Sequence, residues 1–353
     1  MSEQRRVRIG FCGVGTMGQC AHLRNYATLP ECEVAAISEP REDTARRVAA
    51  RYQIPKVYGT FAEMVAAEKL DALVASQPFT RHGAFIPEVL KARLPVFIEK
   101  PIAASIPMGE KIVQAVRDSG TFLSVGYHKR SDPAVMAAKK EIEALKASSE
   151  IGKLTYVRIL MPAGDYIVGG FDDLVKGDLP KPKFDPDPAP PDMDEELYKT
   201  YVTFVNFYIH QINLMRHLLG EPYSIKHAEP TGKVLIGESA GGIPCVLEMT
   251  PYQTTLDWQE SAFIAFERGW LKLDIPAPMA LYRTGRLRIF KDPGNNIAPQ
   301  TTIPQFPFVH AMRQQAINFI RAVRGEMAPL TDAAEALEDL RVARQYIRLW
   351  KGR

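Results

Sequence analysis

Short apolar runs alternate with longer amphipathic ones along the first 130 positions. VRIGFC opens the chain as a strand and gives way to a glycine turn and a helical pattern, GVGTMGQCAHLRNY. ECEVAAISEP reads as a second strand, REDTARRVAARYQ and TFAEMVAAEKL as helices, and DALVASQP as a strand. HGAFIPEVLKARL is helical, LPVFIEKP a strand, IPMGEKIVQAVRDSG helical and TFLSVGYHKR a last strand. Runs that are apolar without alternation suit strands covered on both faces, and this order demands a mostly parallel, doubly wound sheet.

The rhythm changes in the second half. GKLTYVRILM, SIKHAEPTGKVLIGE, PCVLEMTPY, TTLDWQESAFIAFE, WLKLDIP and RLRIFK read as strands separated by turn-like breaks, which predicts a largely antiparallel open sheet. The fold class is therefore α/β for residues 1–130, with an α+β domain over 131–353 for substrate binding and oligomerisation. FVHAMRQQAINFIRAVRG and TDAAEALEDLRVARQYIRLW close the chain as helices, with Gly325 ending the first and Thr331 as N-cap of the second. Prolines crowd residues 162–196; a substrate lid, an oligomer arm and an inert surface excursion all suit that composition.

Residues 200–220, TYVTFVNFYIHQINLMRHLLG, carry two stripes. Val205, Ile209, Ile212, Met215 and Leu219 recur at helical spacing and should face the core. Asn206, His210, Asn213 and His217 form the second, of amides and imidazoles where a solvent face would carry lysine and glutamate. That stripe suits a polar cavity, with His217 read as a satisfied core histidine.

Composition narrows the function. At 353 residues, 46% hydrophobic and 24% charged, the chain is an ordinary globular protein with more than one core. A net charge of +3, with no long basic run, makes nucleic acid and anionic membrane poor partners. No apolar stretch is long enough to span a bilayer, and MSEQRRVRIG is no signal peptide. Cys12, Cys20, Cys32 and Cys245 lack disulfide or metal spacing, so free buried thiols, no metal and a cytoplasmic setting are expected.

Chemistry gathers at the ends of the predicted parallel strands, where ligands bind in such sheets. Gly13, Gly15 and Gly18 form G-x-G-x-x-G, which lets backbone approach a pyrophosphate; Thr16 and Met17 belong to the same turn. Glu39 ends the second strand 21 positions beyond Gly18, placed for the ribose hydroxyls of an adenosine. NAD is thus expected over NADP, although Ser38 and Arg41 are suited to a 2′-phosphate. Gln77, Pro78, His82, Glu99 and Lys100 complete the expected cofactor-binding set.

The chain resembles the glucose–fructose oxidoreductase and inositol dehydrogenase (Gfo/Idh/MocA) family. The glycine turn, the Glu99-Lys100-Pro101 triplet and VGYHKRSDPAV carry the resemblance, which runs almost to the last helix. It implies that Lys100 lies beside the nicotinamide and the substrate hydroxyl, where an ammonium steadies a developing alkoxide. Pro101 would fix the turn that aims Lys100. The resemblance also makes His210 the acid–base group, a role imidazole suits near neutral pH. Much of the family shows Asp-x-x-x-His-x-x-Asp here; this chain has Asn206 and Asn213 in place of both carboxylates, which sets aside the usual lysine–aspartate–histidine relay.

The expectation is an NAD-dependent oxidoreductase that moves hydride between a ring secondary alcohol of a sugar, glycoside or cyclitol and nicotinamide. Lys100 and His210 are the catalytic candidates, and His128, Lys129, Arg130, Asp165, Tyr166, Asn206 and Asn213 the substrate-binding ones. A solvated basic pair capped by Asp132 is the bland reading of Lys129 and Arg130. A glycosidase working by oxidation, elimination and reduction on bound NAD would use the same residues. A non-enzymatic NAD-binding partner protein is a third reading, and a homo-oligomer, dimer or tetramer, is expected.

Overall fold

The computed structural model describes residues 5–161, 166, 167, 169, 171–249 and 257–352. The chain divides into two compact units. The first joins Met1–Tyr127, Phe171–Tyr198 and Gln315–Leu340; the second joins His128–Gly170, Lys199–Gln314 and Arg341–Arg353.

The first unit holds a six-stranded sheet of β1 (Val7–Cys12), β2 (Cys32–Ser38), β3 (Lys56–Tyr58), β4 (Ala72–Ala75), β5 (Val96–Glu99) and β6 (Leu123–Gly126). Every pair is parallel, in the order β3-β2-β1-β4-β5-β6. The order reverses between β1 and β4, the switch point outside which dinucleotides bind. A π-helical turn, Gly18–Leu23, runs into α1 (Arg24–Tyr26). Then come α2 (Glu42–Tyr52), α3 (Phe61–Ala67), α4 (His82–Leu90) and α5 (Ile106–Ser119). The glycine turn therefore follows β1, Glu39 follows β2, Gln77 follows β4 and Lys100 follows β5, all at the carboxyl edge. Three residues of mixed polarity make β3, too short for periodicity to announce.

The second unit begins with the turn His128–Ser131 and α6 (Pro133–Ser148), a helix marked in the sequence only by Asp132 as N-cap and Pro133 at N1. β7 (Leu154–Leu160) and α7 (Glu195–Leu219) follow, then β8 (Tyr223–Ala228), β9 (Val234–Ser239) and β10 (Pro244–Glu248). The chain continues through β11 (Glu260–Phe266), β12 (Gly269–Ile275), β13 (Arg286–Lys291) and β14 (Gln300–Thr302). These eight strands are ordered β14-β13-β12-β11-β7-β10-β9-β8, antiparallel except for the parallel β7–β10 pair. SIKHAEPTGKVLIGE is two strands and not one, because Pro230, Thr231 and Gly232 turn the chain into a hairpin. Alternate residues of β11 are buried, as a sheet with one covered face requires.

The last helices, α8 (Ala311–Val323) and α9 (Ala333–Lys351), each start in one unit and end in the other. In the first unit, Phe319 of α8 meets Tyr26, Phe97 and Phe122 edge-on at 6.3, 5.7 and 6.2 Å. Burying a ring of that size contributes roughly 2–3 kcal/mol, so α8 is structural cover for the parallel sheet. The N-cap of α9 is Asp332, not Thr331: its carboxylate accepts Glu335 N–H at 2.8 Å, while the Thr331 side chain is buried. A longer-reaching carboxylate one position nearer the helix takes the capping role.

The proline-rich segment is described from Phe171 onward and lies on the first unit. Gln19 donates to the Val175 carbonyl at 2.9 Å and accepts Val175 N–H at 3.0 Å. Arg47 binds the Lys176 carbonyl and Asp178, and Asp43 accepts Leu179 N–H at 2.9 Å. Asp187 then accepts Gly83 and Ala84 N–H at 2.7 and 3.0 Å, which caps α4 from a distant stretch of chain. Among the described residues no helix is long and apolar enough to cross a membrane. All four cysteines are buried and free, and burial pushes the Cys12 and Cys245 thiols up to about 12 and Cys20 to about 11.

Candidate functional site

The three glycines divide the work of the turn. Gly13 has φ +90°, and a Cβ there would lie 2.5 Å from the Ser76 carbonyl oxygen. At Gly18 a Cβ would lie 2.4 Å from the Gly13 carbonyl oxygen. Both are fixed by packing. Gly15 has nothing within 4 Å of that position, so a phosphate group has room to reach its backbone. Thr16 is exposed and Met17 half-buried on the same turn. The pyrophosphate of a dinucleotide fits this arrangement.

Glu39 is buried at the end of β2. One carboxylate oxygen accepts Arg41 Nε at 2.7 Å and Arg41 N–H at 3.3 Å; the other accepts Arg41 Nη2 at 2.9 Å and Val14 N–H at 3.1 Å. Its lone-pair directions are thus filled, and ribose hydroxyls would compete with the guanidinium for them. Sequence spacing located the carboxylate and could not show that Arg41 folds back onto it.

At the end of β5, Glu99 turns inward. Its carboxylate meets buried His22 Nε2 at 2.5 Å and accepts Lys100 N–H at 3.1 Å. Burial pushes the Glu99 carboxyl up, but the hydrogen bond and charge of His22, with the charge and N–H of Lys100, hold it below the usual carboxylate range. Glu99 anchors the backbone from which Lys100 projects, half-buried, ahead of a cis Lys100–Pro101 peptide. His82 is buried, its Nδ1 3.0 Å from the Ile102 carbonyl and its Nε2 3.3 Å from that of Gln77. Burial lowers its pKa, and a neutral ring, with one N–H, can donate to only one of these two carbonyls. Gln77 is half-buried, with its amide beside Gly13, and Pro78 is exposed.

The second unit gathers the remaining candidates into a ladder. His128 and Arg130 of the turn His128–Ser131 contact α7 directly, and Lys129 between them reaches Glu260 of β11. The His128 ring meets His210 edge-on at 4.4 Å. Lys129 is 2% exposed and pairs with the fully buried carboxylate of Glu260, which also takes Gln211 Nε2 at 2.8 Å. Arg130 donates to Asn213 Oδ1 at 2.7 Å. Lys129 and Arg130 are therefore not a solvated pair, and Asp132 instead caps α6 at Ala134 N–H and accepts Gly285 N–H.

Along α7 the apolar stripe is buried as its periodicity requires: Val205, Ile209, Ile212, Met215 and Leu219 are each at most 1% exposed. The polar stripe grades from exposed Asn206 through half-buried His210 to buried Asn213. His217 is half-buried, and burial with nearby Arg130, Lys139 and Arg216 holds its pKa well below the usual value. Tyr166 is 39% exposed, with its carbonyl accepting Met279 N–H at 3.3 Å; Asp165 lies outside the described residues. Sequence reasoning missed His22, Gln211, Glu260 and Trp258, whose Nε1 donates to Glu260 at 3.2 Å. A glutamate opening the apolar strand ESAFIAF was the one available signal.

Comparison with known proteins agrees with this layout. Residues 7–127 match the model of an oxidoreductase family with an NAD-binding Rossmann fold. The inositol 2-dehydrogenase of Acidothermus cellulolyticus is 32% identical over 146 residues, 41% of this chain and 42% of that enzyme. The myo-inositol 2-dehydrogenase of Thermotoga maritima is 24% identical over 235 residues, 67% of this chain and 61% of that enzyme. The chain thus spans less than two thirds of either relative. The solved aldose-aldose oxidoreductase of Caulobacter crescentus shares the fold over 99% of both chains, with TM-score 0.70 and 17% identity. The glycine turn, the parallel sheet and the match over residues 7–127 make this part of the chain similar to the NAD-binding Rossmann fold of that oxidoreductase family.

Proposed function

We propose that the protein is an NAD-dependent dehydrogenase acting on a ring secondary alcohol of a cyclitol or sugar. The observation that carries this is the shared carboxyl edge of β1, β4 and β5, which presents the open Gly15 turn after β1 and Lys100 after β5, with β4 between them. The inositol dehydrogenases among the relatives support the substrate class. Gly13, Gly15, Thr16, Met17 and Gly18 would hold the pyrophosphate, and Glu39 the adenosine ribose. Bound NAD would supply the hydride acceptor. Lys100 donates a hydrogen bond to the substrate oxygen and lowers the energy of its developing negative charge. His210 takes the hydroxyl proton, or returns it in the reverse direction. Arg130 holds Asn213, so the α7 stripe keeps one orientation while the substrate hydroxyls bind. The glycosidase alternative finds no support in these relatives, which are dehydrogenases and oxidoreductases by name. A panel of inositols, aldoses and glycosides with NAD, followed by nicotinamide absorbance and product mass, tests the reading. Product two hydrogens lighter than a cyclitol or sugar, formed in step with NADH, is expected; released aglycone without net NADH would overturn it.

A further inference from the structure

Glu260 has no place in the chemistry above, and its surroundings are costly to build. Its side chain is fully buried at the first residue of β11. One oxygen takes the Lys129 ammonium and Trp258 Nε1 at 3.2 Å; the other takes Gln211 Nε2 at 2.8 Å. Lys129 also lies 5.7 Å from the Trp258 ring centre. Desolvating two charges largely cancels their attraction, and buried ion pairs are often replaceable by apolar residues with no loss of stability. Stability alone therefore does not account for the pair.

Geometry does. Gln211 is fully buried and directly follows His210 on α7. Successive residues of an α-helix project about 100° apart, so locking Gln211 sets the rotation of α7 and with it the direction of His210. Lys129 directly follows His128, whose ring contacts His210. One carboxylate thus grips both backbone segments that carry the histidine pair. We infer that Glu260 is a positioning residue that fixes His210 for proton transfer, acting through Gln211 and Lys129. The catalytic part of this inference rests on the dehydrogenase reading.

The test replaces the ion pair by apolar groups, Glu260→Leu with Lys129→Met, and compares it with Glu260→Gln plus Lys129→Met. The second pair removes both charges but keeps one carbonyl oxygen, which can accept from Gln211 while the amide nitrogen takes the side facing Trp258. Histidine-labelled protein, with the His210 ring signal assigned by its loss in His210→Gln, is followed by NMR beside kinetics on myo-inositol and NAD. The Leu/Met protein should stay folded, move or broaden the His210 signal and lose about tenfold or more in kcat, with KM for NAD within about twofold. The Gln/Met protein should return the signal and most of kcat. Gln211→Met, which leaves the ion pair whole, should disturb the His210 signal on its own. An unmoved His210 signal in both the Leu/Met and Gln211→Met proteins overturns the inference. If the wild type turns over no polyol, the dehydrogenase reading falls, while the NMR comparison still decides the positioning role.

Discussion

Alanine at Gly15 should leave the fold intact and damage dinucleotide binding, whereas alanine at Gly13 or Gly18 should damage the fold itself. The structure separates the three positions. A methyl at Gly13 would lie 2.5 Å from a backbone oxygen at φ +90°, and one at Gly18 would lie 2.4 Å from another. Backbone cannot move aside as a flexible side chain can, so each change should cost on the order of 2–4 kcal/mol and lower Tm by several degrees. At Gly15 the methyl enters open space at a backbone angle outside the left-handed region. The unfolded chain loses some freedom, so stability should hold or rise by up to about 1 kcal/mol. The same methyl would occupy the approach of a pyrophosphate oxygen to the turn. Losing one charge-assisted hydrogen bond costs about 1.5–3 kcal/mol, which weakens the cofactor's Kd roughly tenfold to more than a hundredfold. Thermal unfolding measures the first effect and NADH titration by nicotinamide fluorescence the second. Wild-type affinity in Gly15→Ala would refute the assignment of this turn to the cofactor. A Tm loss there as large as at Gly13 would refute the packing argument.

Lys100→Ala should lower kcat by about a hundredfold, roughly 3 kcal/mol, with little change in the Kd of NAD, and Lys100→Arg should not restore it. Equal kcat in steady-state assays would remove Lys100 from the chemistry. Arg41→Ala frees both oxygens of Glu39 for ribose hydroxyls and exposes an uncompensated carboxylate to a 2′-phosphate. The ratio of NAD to NADP affinity should then rise about tenfold or more in paired titrations; a falling ratio would contradict the geometry at β2. Glu99 has a depressed folded-state pKa, so its stabilisation is complete above the unfolded carboxylate value of about 4.3 and is lost as pH falls through the folded value. Glu99→Gln should lower Tm at neutral pH and flatten the decline below about pH 4, and an unchanged acid limb would show that His22 does not hold a charged carboxylate.

Much of the architecture was legible because it is written in local periodicity. The apolar runs that became β1, β2, β4 and β5, and the buried stripe of α7, depend on residues a few positions apart. What escaped was either too short or not local. β3 has three residues, and α6 was signalled only by Asp132 and Pro133. The site divided in the same way. The glycine turn and the Glu99-Lys100-Pro101 triplet are contiguous and were found. Arg41 turning onto Glu39, His22 beneath Glu99, and Glu260 beneath Lys129 and Gln211 depend on which way side chains point after folding. Charge pattern alone offers too many equivalent partners to select these pairs.

The central claim is that hydride passes from a ring carbon of a polyol to nicotinamide. Myo-inositol carrying deuterium on its ring carbons, incubated with NAD and the protein, tests it most directly by mass spectrometry of the recovered cofactor. The account predicts NADH that has gained one deuterium in step with keto-product, at a rate lost in Lys100→Ala. NADH without deuterium, or transfer that continues unchanged in Lys100→Ala, would contradict it.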